Sequence, residues 1–512
     1  MPASVPLAQR LGFLAMIFGM FMAILDIQIV ASSLSEIQAG LSASADEISW
    51  VQTSYLIAEV VAIPLSGYMS RLLSTRILFV ISAASFTIMS FACAFAWDLN
   101  SMIVLRALQG FLGGAMIPTV FATSFTIFPP NRSAGVSVII GLVATLAPTL
   151  GPTLGGYLTE SYSWHWLFLI NVAPGLLVSI AVWLLMDIDR PNWSLLKSFD
   201  WYGLLFMALF LGSLEYVMEE GPRDDWFDDT SIITFTAVTT LGGIAFFWRT
   251  LAAGNPIVEL RAFGDRNFAI GSLYSFVIGI GMYGAVYVLP LFLARVQNFN
   301  SLQIGETMFV TGTFQLLSAP LAGALSRKLD PRVMLAAGLT LFGLGMWQMT
   351  YITADWGFWD LFLPQATRGL ALMFCIIPVN TIALGTLPPS QLKNASGLYN
   401  LMRNLGGAIG LASINTVLTD RAALHWTRIA DHINLSLPNV QQYIDNMSAR
   451  LGSVIGGDAD AAAIQRIGAM VAREAGVQAF GDSLLALALV YAFALATIPL
   501  IRKPRQALAE AH

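Results

Sequence analysis

Six ionisable side chains stand inside long, otherwise apolar stretches of this sequence: Asp26, Glu59, Arg106, Glu215, Arg368 and Arg403. Holding a charge in hydrocarbon costs at least about 2.5 kcal/mol on insertion scales, so each such group is a candidate for function. A carboxyl in that setting can take up and release a proton, and a neighbouring arginine can pair with it or tune it. Asp26 and Arg106 are the first candidates for such proton chemistry; an ion pair that only orders the helices is the competing reading. Glu59 is a second candidate, either for a proton or for contact with a ligand. Glu59, Arg368 and Arg403 are the candidate lining of a ligand cavity, and three buried acids against three buried bases leave the ligand's charge open. Glu215 lies near the end of its apolar stretch and Glu306 near a helix end, so both are expected to reach water.

The elements that hold these groups must be membrane helices. Hydrophobic residues make up 56% of the 512 and charged ones only 11%, with a mean hydropathy of +0.70. Soluble domains carry roughly 25% charged residues, so this much apolar surface calls for lipid as its solvent. About 20 apolar residues cross the bilayer. On that rule spans are expected near 11–31, 48–70, 77–97, 101–128, 134–158, 165–186, 201–218, 231–249, 268–293, 303–326, 331–353, 359–385, 395–418 and 481–501. The fold class expected is an all-α polytopic membrane protein with 14 transmembrane helices. The stretch 11–31 is too long for a signal-peptide core and should remain as a helix. Cys93 and Cys375 fall inside apolar helices and read as small core residues. Trp50, Trp97, Trp164 and Trp166 stand near span ends, as interfacial anchors do.

An even number of crossings puts both termini on one face. Loops on that face, with the tail, carry Arg10, Arg71, Arg76, Arg132, Arg190, Lys197, Arg249, Arg261, Arg266, Arg327, Lys328, Arg332, Lys393, Arg502, Lys503 and Arg505. The short loops opposite carry only Arg223 and Arg295. The excess of positive charge predicts cytoplasmic termini.

Residues 64–76, PLSGYMSRLLSTR, align without gaps with 320–332, PLAGALSRKLDPR. Seven of the 13 positions match, and both copies end a helix on the same face. Ile117-Pro118 followed by Pro129-Pro130 is echoed by Ile377-Pro378 followed by Pro388-Pro389. The simplest arrangement is an N-terminal six-helix bundle (1–200), an inserted helix pair (201–250) and a C-terminal six-helix bundle (251–512). Like-oriented repeats of this kind place a ligand site near mid-membrane between them.

Several longer motifs run along the chain: LDIQIVASSL at 25–34, WVQTSYLIA at 50–58, RALQGFLGG at 106–114, GPTLGGYL at 151–158, WHWLFLINVAPG at 164–175 and NPIVELRAFGDRNFAIG at 255–271. Together they resemble the major facilitator superfamily (MFS fold), and within it the fourteen-helix drug:H+ antiporters (DHA2) of the EmrB/QacA type, EmrB in particular. The resemblance implies proton-coupled export of small amphipathic compounds from the cytoplasm of a bacterium, a multidrug efflux role without enzymatic activity or cofactor. An exporter of one metabolite, siderophore or lipid is the alternative. By the resemblance Asp26 occupies the acidic position of the first-helix motif and Arg106 that of an arginine implicated in proton transfer. Pro148, Gly151, Pro152, Gly155 and Gly156 match the antiporter motif, thought to seal a helix interface. Glycines four apart let a neighbouring backbone approach closely, while proline removes a backbone donor and bends the helix.

The sequence departs from the superfamily pattern at the gate signature formed by Gly67, Ser70, Arg71 and Arg76, with Gly323, Arg327 and Arg332 in the repeat. Ser70 and Ser326 stand where an aspartate is usual, which puts a charge relay there in doubt. The segment 419–480 is expected as short amphipathic helices near 441–454 and 461–480, on the outer side. By resemblance it is a possible contact for a periplasmic membrane-fusion adaptor and an outer-membrane channel; lying on the bilayer surface is the other reading. No G-x-x-x-x-G-K-[ST] loop is present, so an ion gradient is the simplest energy source. His165, His425, His432 and His512 all lie outside the deep membrane, which argues against an intramembrane metal site. Nothing points to nucleic acid; the expected partners are a small-molecule substrate, protons and the lipid bilayer.

Overall fold

The computed structural model describes residues 5–44, 47–128, 130–433, 437–452 and 459–501. Pro129 and the tail residues Arg502, Lys503, Arg505 and His512 lie outside them, as does part of the expected outer segment.

The chain is a bundle of helices with no strand among the described residues. The first six crossings are α1 (Leu7–Ala31), α3 (Trp50–Leu73) after the short α2 (Leu34–Leu41), α4 (Thr75–Cys93), α5 with α6 (Leu99–Gly113 and Met116–Ile127), α7 (Pro130–Ser161), and α8 with α9 (Trp166–Leu169 and Val172–Leu185). Then come α10 (Trp201–Glu220) and α11 (Thr230–Ala252), which pack on each other. The last six are α12 (Arg266–Arg295), α13 (Ser301–Leu325), α14 (Pro331–Gln348), α15 (Phe358–Leu384), α16 (Pro389–His432) and α18 (Ala459–Ala496), with the short α17 (Pro438–Gly452) before α18.

Thirteen of these stretches are long and apolar enough to cross a bilayer by length and composition. The fourteenth, α16, falls short because its central part carries Asn400, Arg403, Asn404 and Asn415. Those polar groups are tolerated because α16 packs against α12, α3, α6 and α18 rather than lipid. Successive crossings alternate in direction, so Leu7 and Leu500 end on one face, where Arg266 Nε donates to the Leu500 carbonyl at 3.1 Å.

Three expectations change. The span expected at 101–128 is interrupted at Gly114 and Ala115, where α5 presses on α3: a Cβ on Gly114 would lie 2.9 Å from Ala62 Cβ. The span expected at 165–186 is interrupted at Ile170 and Asn171, and Asn171 turns its side chain into the bundle. Finally, 419–480 is not a run of short helices alone. Residues 419–432 continue α16 and residues 461–480 are the first half of α18. Neither stretch contains proline, and the second is rich in alanine, so both helices propagate past the membrane. At about 1.5 Å per residue, α16 reaches about 66 Å against about 30 Å of hydrocarbon. Asp482 on α18 ties the extensions together, meeting His425 at 2.9 Å and Arg421 at 3.7 Å on α16. The expectation at 441–454 is met more nearly, by α17.

Candidate functional site

Asp26 and Arg106 meet at 2.7 Å, both fully buried. Asp26 also accepts from Asn171 Nδ2 at 2.7 Å and from Gln109 Nε2 at 3.4 Å. Arg106 donates through Nε to the Val51 carbonyl at 3.2 Å and through Nη1 to Gln109 Oε1 at 2.8 Å. Its guanidinium lies 4.2 Å from the centre of the Tyr55 ring, while Nη2 is buried without a partner. The helices allow this closeness because Gly110, one turn after Arg106, leaves no Cβ to collide with the Tyr55 carbonyl.

One turn beyond Tyr55 on α3 is Glu59, which is 2% exposed. It forms no hydrogen bond or ion pair among the described residues. Its carboxyl lines a small cavity of ≈ 70 Å³ with Gln52, Glu215, Glu219, Tyr283 and Asn404. That pocket shares Gln28, Gln52, Glu219 and Tyr283 with a wider cavity of ≈ 790 Å³. The wide cavity is walled by both six-helix bundles and runs out past Ser32, Glu160 and Asn300 at helix ends on the face away from the termini. The deep pocket is therefore the floor of a vestibule open to that far face.

The face that carries the termini is closed. Gly67 on α3 abuts α16, so that a Cβ there would lie 2.8 Å from Asn394 Cα and from the Lys393 carbonyl oxygen. The repeat makes the matching contact with the bundles exchanged, Gly323 on α13 facing Val138 on α7. Ser70 supplies no carboxylate, and Asp189 does so instead, from the segment after α9. It caps α4 by accepting from the Thr75 amide at 3.0 Å and pairs with Lys393 of α16, whose ammonium also donates to the Ser70 carbonyl at 3.3 Å. Asn394 bridges Arg71 and Glu259: its Oδ1 accepts from Arg71 at 3.5 Å and its Nδ2 donates to Glu259 at 3.2 Å. Arg76 stands 3.9 Å from Asp187, Arg332 pairs with its own Asp330 at 2.9 Å, and Arg327 is exposed. The gate thus contains carboxylates: Asp187, Asp189 and Glu259 come from outside the aligned stretches, and Asp330 stands within the second, four residues after Ser326.

The proline- and glycine-rich stretch of α7 lies against α1. A Cβ on Gly151 would collide with Gln28, and one on Gly155 would lie 2.6 Å from Ser32 Oγ. Pro148 is buried, whereas Pro152 and Gly156 line the vestibule.

Arg368 and Arg403 lie off the walls of both cavities. Arg368 is 2% exposed and donates to Thr311 Oγ1 at 2.8 Å and to the Ala285 carbonyl at 3.5 Å, with no carboxylate partner among the described residues. Arg403 is held 5.1 Å from the ring centres of Phe121 and Tyr399. The repeat explains Arg368. The offset of 256 that aligns Pro64 with Pro320 also aligns Tyr55 with Thr311 and Glu59 with Gln315. Arg368 therefore meets α13 where Arg106 meets α3, but its bundle has neither an Asp26 nor a Glu59. Gln315 is fully buried with both amide atoms unpartnered.

Glu215, expected to reach water, is instead 5% exposed and faces the deep pocket. Glu219, one turn on, faces both cavities. The spacing of four in Glu215 and Glu219 was the available signal, since it puts both on one face of α10. Which neighbour that face meets was not in the sequence.

The family model described as Major Facilitator Superfamily matches residues 16–411. The chain is 43% identical over 478 residues to the colistin resistance protein EmrB of Acinetobacter baumannii, covering 93% of each. It is 30% identical to the multidrug export protein EmrB of Escherichia coli K12, covering 84% of each. Among solved structures, the proton:xylose symporter XylE superposes with a TM-score of 0.61 at 14% identity, covering 95% of this chain and 94% of that one.

Proposed function

The chain belongs to the major facilitator superfamily and, within it, to the EmrB relatives; from that premise we propose that it exports small amphipathic compounds across the bacterial cytoplasmic membrane in exchange for protons. In this reading the termini are cytoplasmic and the vestibule faces outward. The bundles 1–200 and 251–512 rock about the cavity, with 201–250 between them. The observation that carries the proposal is the sealed Asp26–Arg106 pair, with Arg106 over the Tyr55 ring one turn before Glu59, which itself stands on the cavity wall. A proton arriving from outside can reach Glu59 directly. Glu59 exchanges it with the cavity, and Arg106 transmits the change of charge to Asp26, whose three donors hold the bundle in register.

The far-face extensions of α16 and α18 are the surface on which a periplasmic adaptor would dock. That assignment rests on the likeness to EmrB and on the reach of these helices beyond the bilayer.

The test is uptake of an amphipathic dye into everted vesicles under an imposed pH gradient. Wild type should accumulate it and stop when the gradient is collapsed. Glu59→Gln should lose gradient-driven uptake but keep exchange of internal for external dye. Full gradient-driven uptake by Glu59→Gln would remove Glu59 as the exchange site, and the same result with Asp26→Asn would remove the coupled pair. Uptake that persists without any gradient would end the antiport reading.

A further inference from the structure

The inserted pair α10–α11 is more than a spacer between the bundles. The far half of α10 lies between α3 and α16, one helix from each bundle, and is fastened to both. Glu220 accepts from Thr53 of α3 at 2.8 Å, and Trp226, in the loop after α10, donates from its indole to Thr416 of α16 at 2.9 Å. Held in that way, α10 turns Glu215 and Glu219 into the deep pocket opposite Glu59.

The lining of the whole cavity is one-sided in charge. Glu59, Glu215 and Glu219 face the deep pocket, and Glu36 and Glu160 stand at the mouth of the vestibule. Among the described residues no lysine, arginine or histidine lines either space. The buried arginines do not balance these acids there: Arg106 is already paired, and Arg368 and Arg403 are off the walls. A further polar group in the deep pocket is also unoccupied. Gln52 is 8% exposed and lines both cavities, and its Oε1 is buried without a hydrogen-bond donor. Buried acceptors are normally satisfied, so an unpaired amide oxygen beside three unpaired carboxylates calls for a donor or a positive charge from outside the chain. The apolar wall around them, Ile27, Leu56, Val60 and Leu411, suits a hydrophobic body attached to that charge. A water needs roughly 10–15 Å³ of such space, so the deep pocket by itself holds a few waters or one compact group, and a bulkier cation rests in the ≈ 790 Å³ vestibule against Glu219, which lines both spaces.

We propose that the deep pocket is a cationic-headgroup site, with Glu215 and Glu219 of the inserted helix as its specificity-determining residues, and that the cargo is an amphipathic cation. This deepens the export reading given above and rests on it for the cavity's role. The inserted pair then supplies the charge selectivity of the site, while proton exchange stays with the N-terminal bundle at Glu59.

The test is equilibrium binding of radiolabelled tetraphenylphosphonium to the purified full-length protein in nanodiscs, with tetraphenylborate as the anion of matched shape. Wild type should bind the cation and not the anion. Glu215→Gln/Glu219→Gln should weaken cation binding about tenfold or more, since two opposite charges are removed from a site of low dielectric. Asp228→Asn, on the exposed loop outside the pocket, should bind as wild type does. Glu219→Lys, at the half-buried member of the pair, should lose the cation and admit the anion; it carries the test if the double variant does not elute as a folded species. Equal binding of both ions by wild type, or unchanged cation binding in Glu219→Lys, overturns the proposal. These outcomes are separate from export. Gradient-driven transport of a neutral or anionic compound without phosphonium binding would leave the exporter standing and remove the cationic site.

Discussion

Replacing Asp26 with asparagine removes one charge from an ion pair whose two members are both fully buried. The shape of the site barely changes, so the effect is electrostatic. Arg106 keeps the Val51 carbonyl, Gln109 Oε1 and the Tyr55 ring, but it loses the one carboxylate that neutralises it. Breaking a buried pair by removing one partner costs about 3–5 kcal/mol, because the survivor is an uncompensated charge. At about 1.4 kcal/mol per factor of ten, that is roughly a 150- to 5000-fold fall in the ratio of folded to unfolded protein. The double variant Asp26→Asn/Arg106→Gln leaves no charge behind and should be destabilised less than Asp26→Asn alone. The measurement is the folded fraction of purified protein titrated with a denaturing detergent, for wild type, both single variants and the double. A double variant whose loss equals the sum of the two single losses would show that the pair does not act as a unit. A loss below about 1 kcal/mol for Asp26→Asn would show that water reaches the pair, against the sealed geometry described above.

Three further outcomes follow from other parts of the molecule. Gly67→Val places a side chain against the α16 backbone only while the terminal face is closed; an overpacking cost of about 1–3 kcal/mol would shift the population roughly 5- to 150-fold toward states in which α3 and α16 part. Spin labels at the exposed positions Arg190→Cys and Lys328→Cys should report longer distances in that variant, and an unchanged distribution would refute the closure described. Lys393→Ala removes the tie to Asp189 and the Ser70 carbonyl, and should shift the same distances in the same direction by a smaller amount, about 1 kcal/mol. Asp229 caps α11, and the amides of Ile232 and Ser231 hold its carboxyl below the usual carboxylate range. Its contribution is present above the unfolded carboxylate's range and is lost as pH falls through the lowered value, so Asp229→Ala should speed amide exchange at Ser231 and Ile232 at neutral pH and make little difference in strong acid.

Much of the fold is legible along the chain because it rests on run length and local composition. Thirteen stretches long and apolar enough to cross a bilayer, the like-oriented repeat and the close approach at Gly151 and Gly155 need only periodicity, apolar length and the absence of a Cβ. Asp26 and Arg106 were readable as a pair because a buried charge demands a partner and the motifs around them were intact. What the sequence could not decide is which surface each helix turns to which neighbour. Glu215 looked water-facing by its position in the span, and it faces the cavity because α10 is wedged between α3 and α16. Arg368 and Arg403 looked like cavity groups by their depth, and packing puts them behind its walls. Ser70 seemed to leave the gate without a carboxylate, yet Asp189, more than a hundred residues later, occupies that place. Depth in the membrane is a property of position along one helix, whereas access to a cavity is a relation between helices far apart in the chain, and only the assembled bundle settles it.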